Sequence, residues 1–241
     1  MRITKDNFLF TRHIAHRGLW GNEILENSLS AYKNAVAFGY PIEIDLYLST
    51  DGELFSFHDD TLSRMTGAEG YIYEKSSSEL RALRLHNSDE SIPTFDEVLS
   101  LVNGKVPLLI EIKNQPNKTV VDKVIERLKS YGGEFAIQSF NPLYIKRVKK
   151  LAPSFIRGIL VGTKKDYKKE KPLTRFILHN MLLNFIIKPD FISVNHERLP
   201  IAKKYHKNKA VIAWTVTNSD IYRKIKPLCD NIIFEHFIPE N

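Results

Sequence analysis

Three clusters of polar side chains stand beside short apolar runs. His16-Arg17-Gly18 follows His13–Ala15, with Glu26-Asn27-Ser28 soon after. Glu43-Ile44-Asp45 lies inside IEIDLYL, and Glu111-Ile112-Lys113 ends PLLIEIK. In a strand, residues i and i+2 point to one face. Glu43 and Asp45 therefore share a face, as do Glu111 and Lys113, while Ile42, Ile44 and Leu46 take the other. Converging carboxylates must raise their pKa values or hold a cation. Hard oxygen donors of this kind suit Mg²⁺ or Ca²⁺. Arg17 and Lys113 beside them suit a phosphate. His16 and His58 are natural general acid and base near neutral pH. The combined chemistry is metal-assisted phosphoryl transfer to water, with His16 favoured as base and His58 as acid, although either could fill either role.

The elements that must position these groups are legible as runs of β-branched and aromatic residues: 13–15, 42–48, 53–57, 107–112, 134–138, 155–160, 190–194, 211–216 and 231–234. Helical spacing fills the gaps between them. Ala31, Ala35 and Phe38 follow Asn27-Ser28, and Val120, Val124 and Leu128 precede the stop Gly132-Gly133. Tyr144, Val148 and Leu151 follow the cap and first-turn proline of Asn141-Pro142. Repeated strand then helix predicts an α/β parallel sheet. Asp51-Gly52 signals a hairpin. A two-residue turn there sets Thr50 opposite Glu53 and Asp45 opposite His58; a shift of one residue would turn His58 to the outer face. With the hairpin as one stave, eight parallel strands remain, the count of a TIM (β/α)8 barrel whose catalytic groups sit at strand C-termini. A solvated strand face is the plainer explanation of a Glu-x-Asp pair. A barrel interior is filled by apolar side chains, however, so carboxylates there require another reason. Segment 59–106, with helical patterns at 77–85 and from Pro93-Thr94, is predicted as a small insertion after that hairpin. Residues 1–241 are predicted as a single domain.

The pattern HRG…ENS…EIDLYLSTDGELFSFHDDTLSRMTG…IPTFDEVL…LLIEIK…IQSF…AWTVTN resembles the glycerophosphodiester phosphodiesterase family. The likeness runs from His16 to about Asn218 and is most specific over 43–67. It implies a TIM barrel with an insertion, and hydrolysis of glycerophosphodiesters to sn-glycerol 3-phosphate and an alcohol. It implies His16 and His58 as the acid/base pair, Glu43, Asp45 and Glu111 as ligands of one divalent cation, and Arg17 and Lys113 as phosphate-facing groups. Trp214 corresponds to an aromatic beside the glycerol, and Phe140 to a wall of its binding site. Where family members end in a Gly-Ile-x-Thr-Asp-x-Pro stretch, this chain has residues 230–237, with Glu235 in the place of the usual Asp.

Composition narrows the alternatives. Of 241 residues, 43% are hydrophobic and 26% charged, ordinary for a globular chain, and the single cysteine, Cys229, excludes an intrachain disulfide or a Cys-rich zinc site. The N-terminus has no apolar run of signal-peptide length. The apolar stretch 176–187 is shorter than the ~20 residues of a membrane span, so a cytoplasmic protein is expected. The net charge of +7 includes a basic stretch at 163–175, six Lys/Arg against two acids, with Phe176, Leu182, Leu183 and Ile186 beyond it. This stretch is a solvated loop or an edge that meets anionic membrane headgroups. No helix-turn-helix, zinc or aromatic-stacking pattern accompanies it, which argues against nucleic acid. Two other activities fit the chemistry less well. One is a lysophospholipase D or cyclising phospholipase at a lipid surface. The other is a non-catalytic anion- or lipid-binding barrel, which has no need of an acid/base pair.

Overall fold

The computed structural model describes residues 3–21, 23–168, 170–201 and 209–240. The chain forms two compact units, residues 15–135 and residues 1–14 with 136–241. Its strands are β1 (Ile14–Ala15), β2 (Ile42–Leu48), β3 (Leu54–Ser56), β4 (Leu108–Ile112), β5 (Phe135–Ser139), β6 (Arg157–Val161), β7 (Phe191–Asn195), β8 (Ala210–Val216) and β9 (Asn231–Phe234). All lie within two residues of the runs expected from sequence, β3 being one residue shorter at each end than its run 53–57. The eight strands other than β3 alternate with helices along the chain, and the fold class is α/β, a TIM (β/α)8 barrel.

In the unit 15–135, β1 pairs in parallel with β2 at Ala15↔Ile42, and β2 pairs in parallel with β4 so that Asp45 and Glu111 are level. All seven residues of β2 and all five of β4 are buried. The helix Leu29–Phe38 starts at Ser28, whose side chain accepts from Ala31 N, and stops at Gly39 in the left-handed region. The helix Phe95–Val102 begins with a capping box of Thr94 and Glu97 and packs against Leu29–Phe38. It occupies the second part of the stretch expected as insertion. The first part folds over Tyr47, Phe55 and Phe57 with Leu62, Met65, Ile72, Leu80, Leu85 and Ile92 as its own apolar cluster.

The hairpin register differs from expectation by one residue. Leu46 pairs with Ser56, Tyr47 with Phe55 and Leu48 with Leu54. The turn has three residues, because Ser49 N donates to Glu53 O at 2.9 Å and Gly52, at φ 91°, takes the third loop position. Asp45 is therefore opposite Phe57, whose N–H donates to Asp45 O at 3.0 Å. Asp51 ties this turn to the insertion. It accepts from Ser77 Oγ at 2.5 Å, Ser77 N at 2.9 Å and Ser49 Oγ at 2.7 Å. These bonds, those from Ser77 and Ser49 foremost, hold its carboxyl down at about 2. Asp51→Ala is expected to lower the melting temperature at pH 7. Because the folded-state pKa is depressed, the stabilisation is complete above ~4 and is lost as pH falls through about 2. Melting curves of wild type and variant should converge at that pH.

In the other unit, β5 to β9 pair successively in parallel, with Ile137↔Arg157, Ile159↔Ile192, Ser193↔Ile212 and Ala213↔Ile232 in register. The helix Pro142–Leu151 starts at Asn141, whose side chain accepts from Leu143 N, and the helix Ser219–Ile225 at Asn218, which accepts from Ile221 N. Ile145, Ile159, Val161, Ile187, Ile192 and Val194 pack together as a core cluster.

Candidate active site

The site is built where β1, β2 and β4 end. After Ala15 the chain turns through Arg17 at φ 58° and Gly18 at φ 87°. A Cβ on Gly18 would sit 2.8 Å from Ala31 Cβ, so only glycine lets this turn rest on the helix Leu29–Phe38. The turn aims the Arg17 N–H at Glu43 Oε2, 3.2 Å away. Gly18→Ala is expected to cost ~1–3 kcal/mol of stability, measured by urea unfolding, and to lower turnover through the displaced turn.

Strand alternation sets Glu43 and Asp45 on one face of β2, and the β2–β4 register sets Glu111 beside Asp45. The three carboxylates are buried, and one ligand oxygen from each lies within 4.8 Å of the others. Lys113 continues the ladder past β4, donating its N–H to Leu46 O at 3.1 Å. Its ammonium lies 3.3 Å from Asp45 Oδ1 and 3.1 Å from Glu111 Oε1. Arg17 Nε is 3.8 Å from Asp45 Oδ2. Burial, and then the charges of Asp45 and Glu111, push Glu43 well above the ordinary carboxylate value. Burial also raises Glu111, against the pull of Lys113. Burial acts in the same direction on Asp45, but Lys113, His58 and Arg17 outweigh it and hold that carboxyl low. With all three carboxylates ionised, one lysine and one arginine leave a negative charge uncompensated among the buried oxygens. The donor set fits a hard divalent cation with all three carboxylates as ligands.

Both histidines belong to this unit. His16 Nε2 is 4.0 Å from Glu43 Oε2, and its carbonyl accepts from Trp20 Nε1 at 2.9 Å. His58 remains near the cluster despite the shifted register, because β3 has already ended and strand alternation no longer governs it. The charges of Lys113, Asp45 and Arg17 act on its ring. Burial first, then Lys113, pulls its pKa below the ordinary imidazole value.

Several supporting groups received no role from sequence. Asp59 Oδ1 is 2.7 Å from His58 Nδ1. Asp59 is held ionised by His58 and Arg64 against the effect of burial, so it accepts the Nδ1 proton and leaves Nε2 as the nitrogen available for proton transfer. Arg64 donates from Nε to Asp59 Oδ2 and from Nη2 to Glu26 Oε1, both at 2.5 Å. Glu26 Oε1 also accepts from Arg17 Nη1 at 2.8 Å. One arginine of the insertion therefore links the partner of His58 to the partner of Arg17. Beneath Asp45, Asn27 Nδ2 donates to Oδ2 at 3.0 Å, and Tyr32 OH donates to Asn27 Oδ1 at 2.7 Å. The adjacency of Glu26-Asn27 to the HRG turn, and the His-Asp and Arg-x-Thr elements after β3, were the available signals.

The structure thus gathers His16, Arg17, Glu43, Asp45, His58, Glu111 and Lys113 in one unit. Phe140 and Trp214 lie in the other, where they meet edge to face with ring centroids 5.5 Å apart. Trp214 Nε1 is buried and has no hydrogen-bond partner among the described residues.

Comparison with known proteins supplies the family. The model of the glycerophosphoryl diester phosphodiesterase family matches residues 16–238. A glycerophosphodiester phosphodiesterase of Caldanaerobacter subterraneus is 32% identical over 237 residues, covering 91% of this chain and 92% of that protein. A human lysophospholipase D is 33% identical over 143 residues, 54% of this chain and 44% of that protein. Among solved structures, a phosphodiesterase of Oleispira antarctica in complex with its product sn-glycerol-3-phosphate superposes with a TM-score of 0.75 at 24% identity, covering 92% of this chain and 91% of that one. A glycerophosphodiester phosphodiesterase of Thermotoga maritima gives 0.71 at 25% identity, with 92% of each chain covered. Fold and relatives together define the class, a phosphoric diester hydrolase built on a TIM barrel. The chain belongs to the glycerophosphoryl diester phosphodiesterase family, an enzyme whose small-molecule substrates are glycerophosphodiesters.

Proposed function

We propose that this enzyme hydrolyses glycerophosphodiesters to sn-glycerol 3-phosphate and an alcohol in a metal-dependent reaction, using His16 and His58 as its acid/base pair. The observation that carries the reading is the buried set Glu43, Asp45 and Glu111, bordered by Arg17 and Lys113. In this reading the three carboxylates hold one divalent cation, Mg²⁺ or Ca²⁺, which when bound supplies positive charge against the phosphodiester oxygens.

The chain's own groups do the rest. Arg17, braced by Glu26, presents a guanidinium to the anionic phosphate. Lys113 adds a second cation from the end of β4. His16 takes the proton from the attacking hydroxyl, and His58, with Nδ1 fixed by Asp59, gives one from Nε2 to the leaving alkoxide. The attacking hydroxyl is water, or the substrate's own glycerol 2-hydroxyl, whose tether gives it a high effective concentration. We assign Phe140 and Trp214 to substrate binding, the buried indole N–H without a partner among the described residues being a donor for a glycerol oxygen. We read residues 1–241 as one barrel domain, acting in the cytoplasm.

The decisive experiment measures glycerol 3-phosphate release from a panel of headgroup diesters, in chelator and with added Mg²⁺ or Ca²⁺. Release that requires the ion supports the reading; equal release in chelator removes the metal from it. Lysophospholipids belong in the same panel, because the relatives include a lysophospholipase D.

A further inference from the structure

The chain between β6 and β7 leaves an unusual amount of apolar surface in water. Leu173 is 71% exposed, Phe176 59%, Leu182 42% and Phe185 74%. The helix Pro172–His179 has no buried residue, and Leu173 and Phe176, three apart, lie on one side of it. The segment is nevertheless attached. Ile177, Leu178, Met181 and Leu183 line a small cavity with Ile159 and Leu160 of β6. The outward side chains are therefore the residue of a helix already seated by its other side. An exposed cluster of this kind marks an interaction surface.

Charge identifies what covers it. Residues 163–188 hold seven Lys/Arg against two acids, and no acid occurs from 171 to 188. Lys164, Lys165, Lys168 and Lys171 are exposed. One of the two acids, Asp166, is turned back on the chain, accepting from Thr163 N at 2.6 Å and Thr163 Oγ1 at 2.9 Å. Arg175 fastens the lysine-rich loop to the helix through the carbonyls of Tyr167, Lys168 and Glu170, at 3.2, 3.0 and 3.3 Å. Exposed lysines thus adjoin exposed Leu and Phe in one continuous segment. A second copy of this chain would bring like charges together. A nucleic acid would leave Leu173, Phe176 and Phe185 in water. An anionic bilayer satisfies both parts: lysines meet the headgroups and the apolar side chains enter the acyl boundary.

We propose that residues 163–188 form a docking surface for membranes containing anionic phospholipid. The proposal concerns where the enzyme sits, so its failure leaves the hydrolytic reading intact. The experiment is co-sedimentation of the full chain with vesicles of phosphatidylcholine alone and of phosphatidylcholine with phosphatidylglycerol. Binding is expected only to the anionic vesicles, and it should weaken as salt rises. Lys164→Glu with Lys165→Glu should reduce partitioning by more than about tenfold, each basic residue near the surface being worth roughly fivefold. Phe176→Ser with Phe185→Ser should reduce it by about tenfold at unchanged charge. Both double variants should keep wild-type circular dichroism and wild-type turnover of water-soluble glycerophosphocholine. Equal partitioning to both vesicle types, or none to either, overturns the proposal. So does self-association of the wild type that Phe176→Ser with Phe185→Ser abolishes, since a second copy would then be the cover.

Discussion

His58→Ala is expected to cut turnover of a natural glycerophosphodiester by roughly 10²–10⁴-fold, the range for loss of a general acid or base, and His16→Ala by the same order. Neither substitution removes a carboxylate from the Glu43, Asp45 and Glu111 cluster, so metal binding should stay near normal in both. The two variants separate on a substrate with a nitrophenyl leaving group. Such a group departs without protonation, so only the variant that lost the acid should recover. The expected one is His58→Ala. The geometry behind this is the 2.7 Å contact of Nδ1 with Asp59, which fixes one tautomer and works against the burial and the Lys113 charge that lower the His58 pKa, supporting the imidazolium that a donor must carry. Asp59→Asn, which replaces a proton acceptor with an amide able to impose the other tautomer, should give an intermediate loss and the same pattern of recovery. Equal recovery of His16→Ala and His58→Ala would refute the split of roles. Wild-type turnover in either variant would remove that histidine from the reaction.

Residue types and strand alternation carried most of the fold and the acid cluster. Glu43 and Asp45 interrupt a run of Ile and Leu at spacing two, and the parallel register delivers Glu111 to them, so a periodic signal was enough. The hairpin shows where such signals stop. Asp51-Gly52 is a correct turn signal, but Ser49 closes the loop one residue earlier on its side, and a two-residue turn becomes a three-residue one. That shift alone would have turned His58 away. It remains near Asp45 because the strand ends at Ser56, and strand ends are set by how the insertion's apolar cluster draws Phe55 and Phe57 into it. The brace Arg17–Glu26–Arg64–Asp59–His58 was beyond reach for a different reason. Its members lie on turns and short helices, Glu26 and Arg64 are 38 residues apart, and ion pairs between loops leave no period in a sequence. The exposed Phe176 and Leu182 were legible as apolar spacing, which a buried helix would share; only the seating of the helix shows which side is left in water, and that side adds Leu173 and Phe185.

Glu111→Gln is expected to abolish most of the enzyme's response to divalent cations. In the metal-free protein two of the three carboxylates, Glu43 and Glu111, have pKa values raised by burial, so protons compete for the same oxygens. A bound cation displaces those protons, and the affinity should therefore fall as pH is lowered. Titrating metal-free wild type with Mg²⁺ or Ca²⁺ should raise its melting temperature, a ligand at 100 times its Kd contributing about 2.7 kcal/mol. In Glu111→Gln the rise should be small or absent. Removing the Glu111 charge also leaves the Lys113 ammonium, 3.1 Å from that carboxylate, with Asp45 as its remaining close partner. The altered balance makes the site less attractive to a second cation, so loss of a ligand and loss of negative charge act in the same direction. Chelation of wild type should abolish glycerol 3-phosphate release and the thermal shift together, and re-addition of one ion should restore both. If the thermal shift survives in Glu111→Gln, the cation binds elsewhere. If chelated wild type turns over as fast as the metal-loaded enzyme, Arg17 and Lys113 alone neutralise the phosphate, and the carboxylates serve to hold those two cations in place.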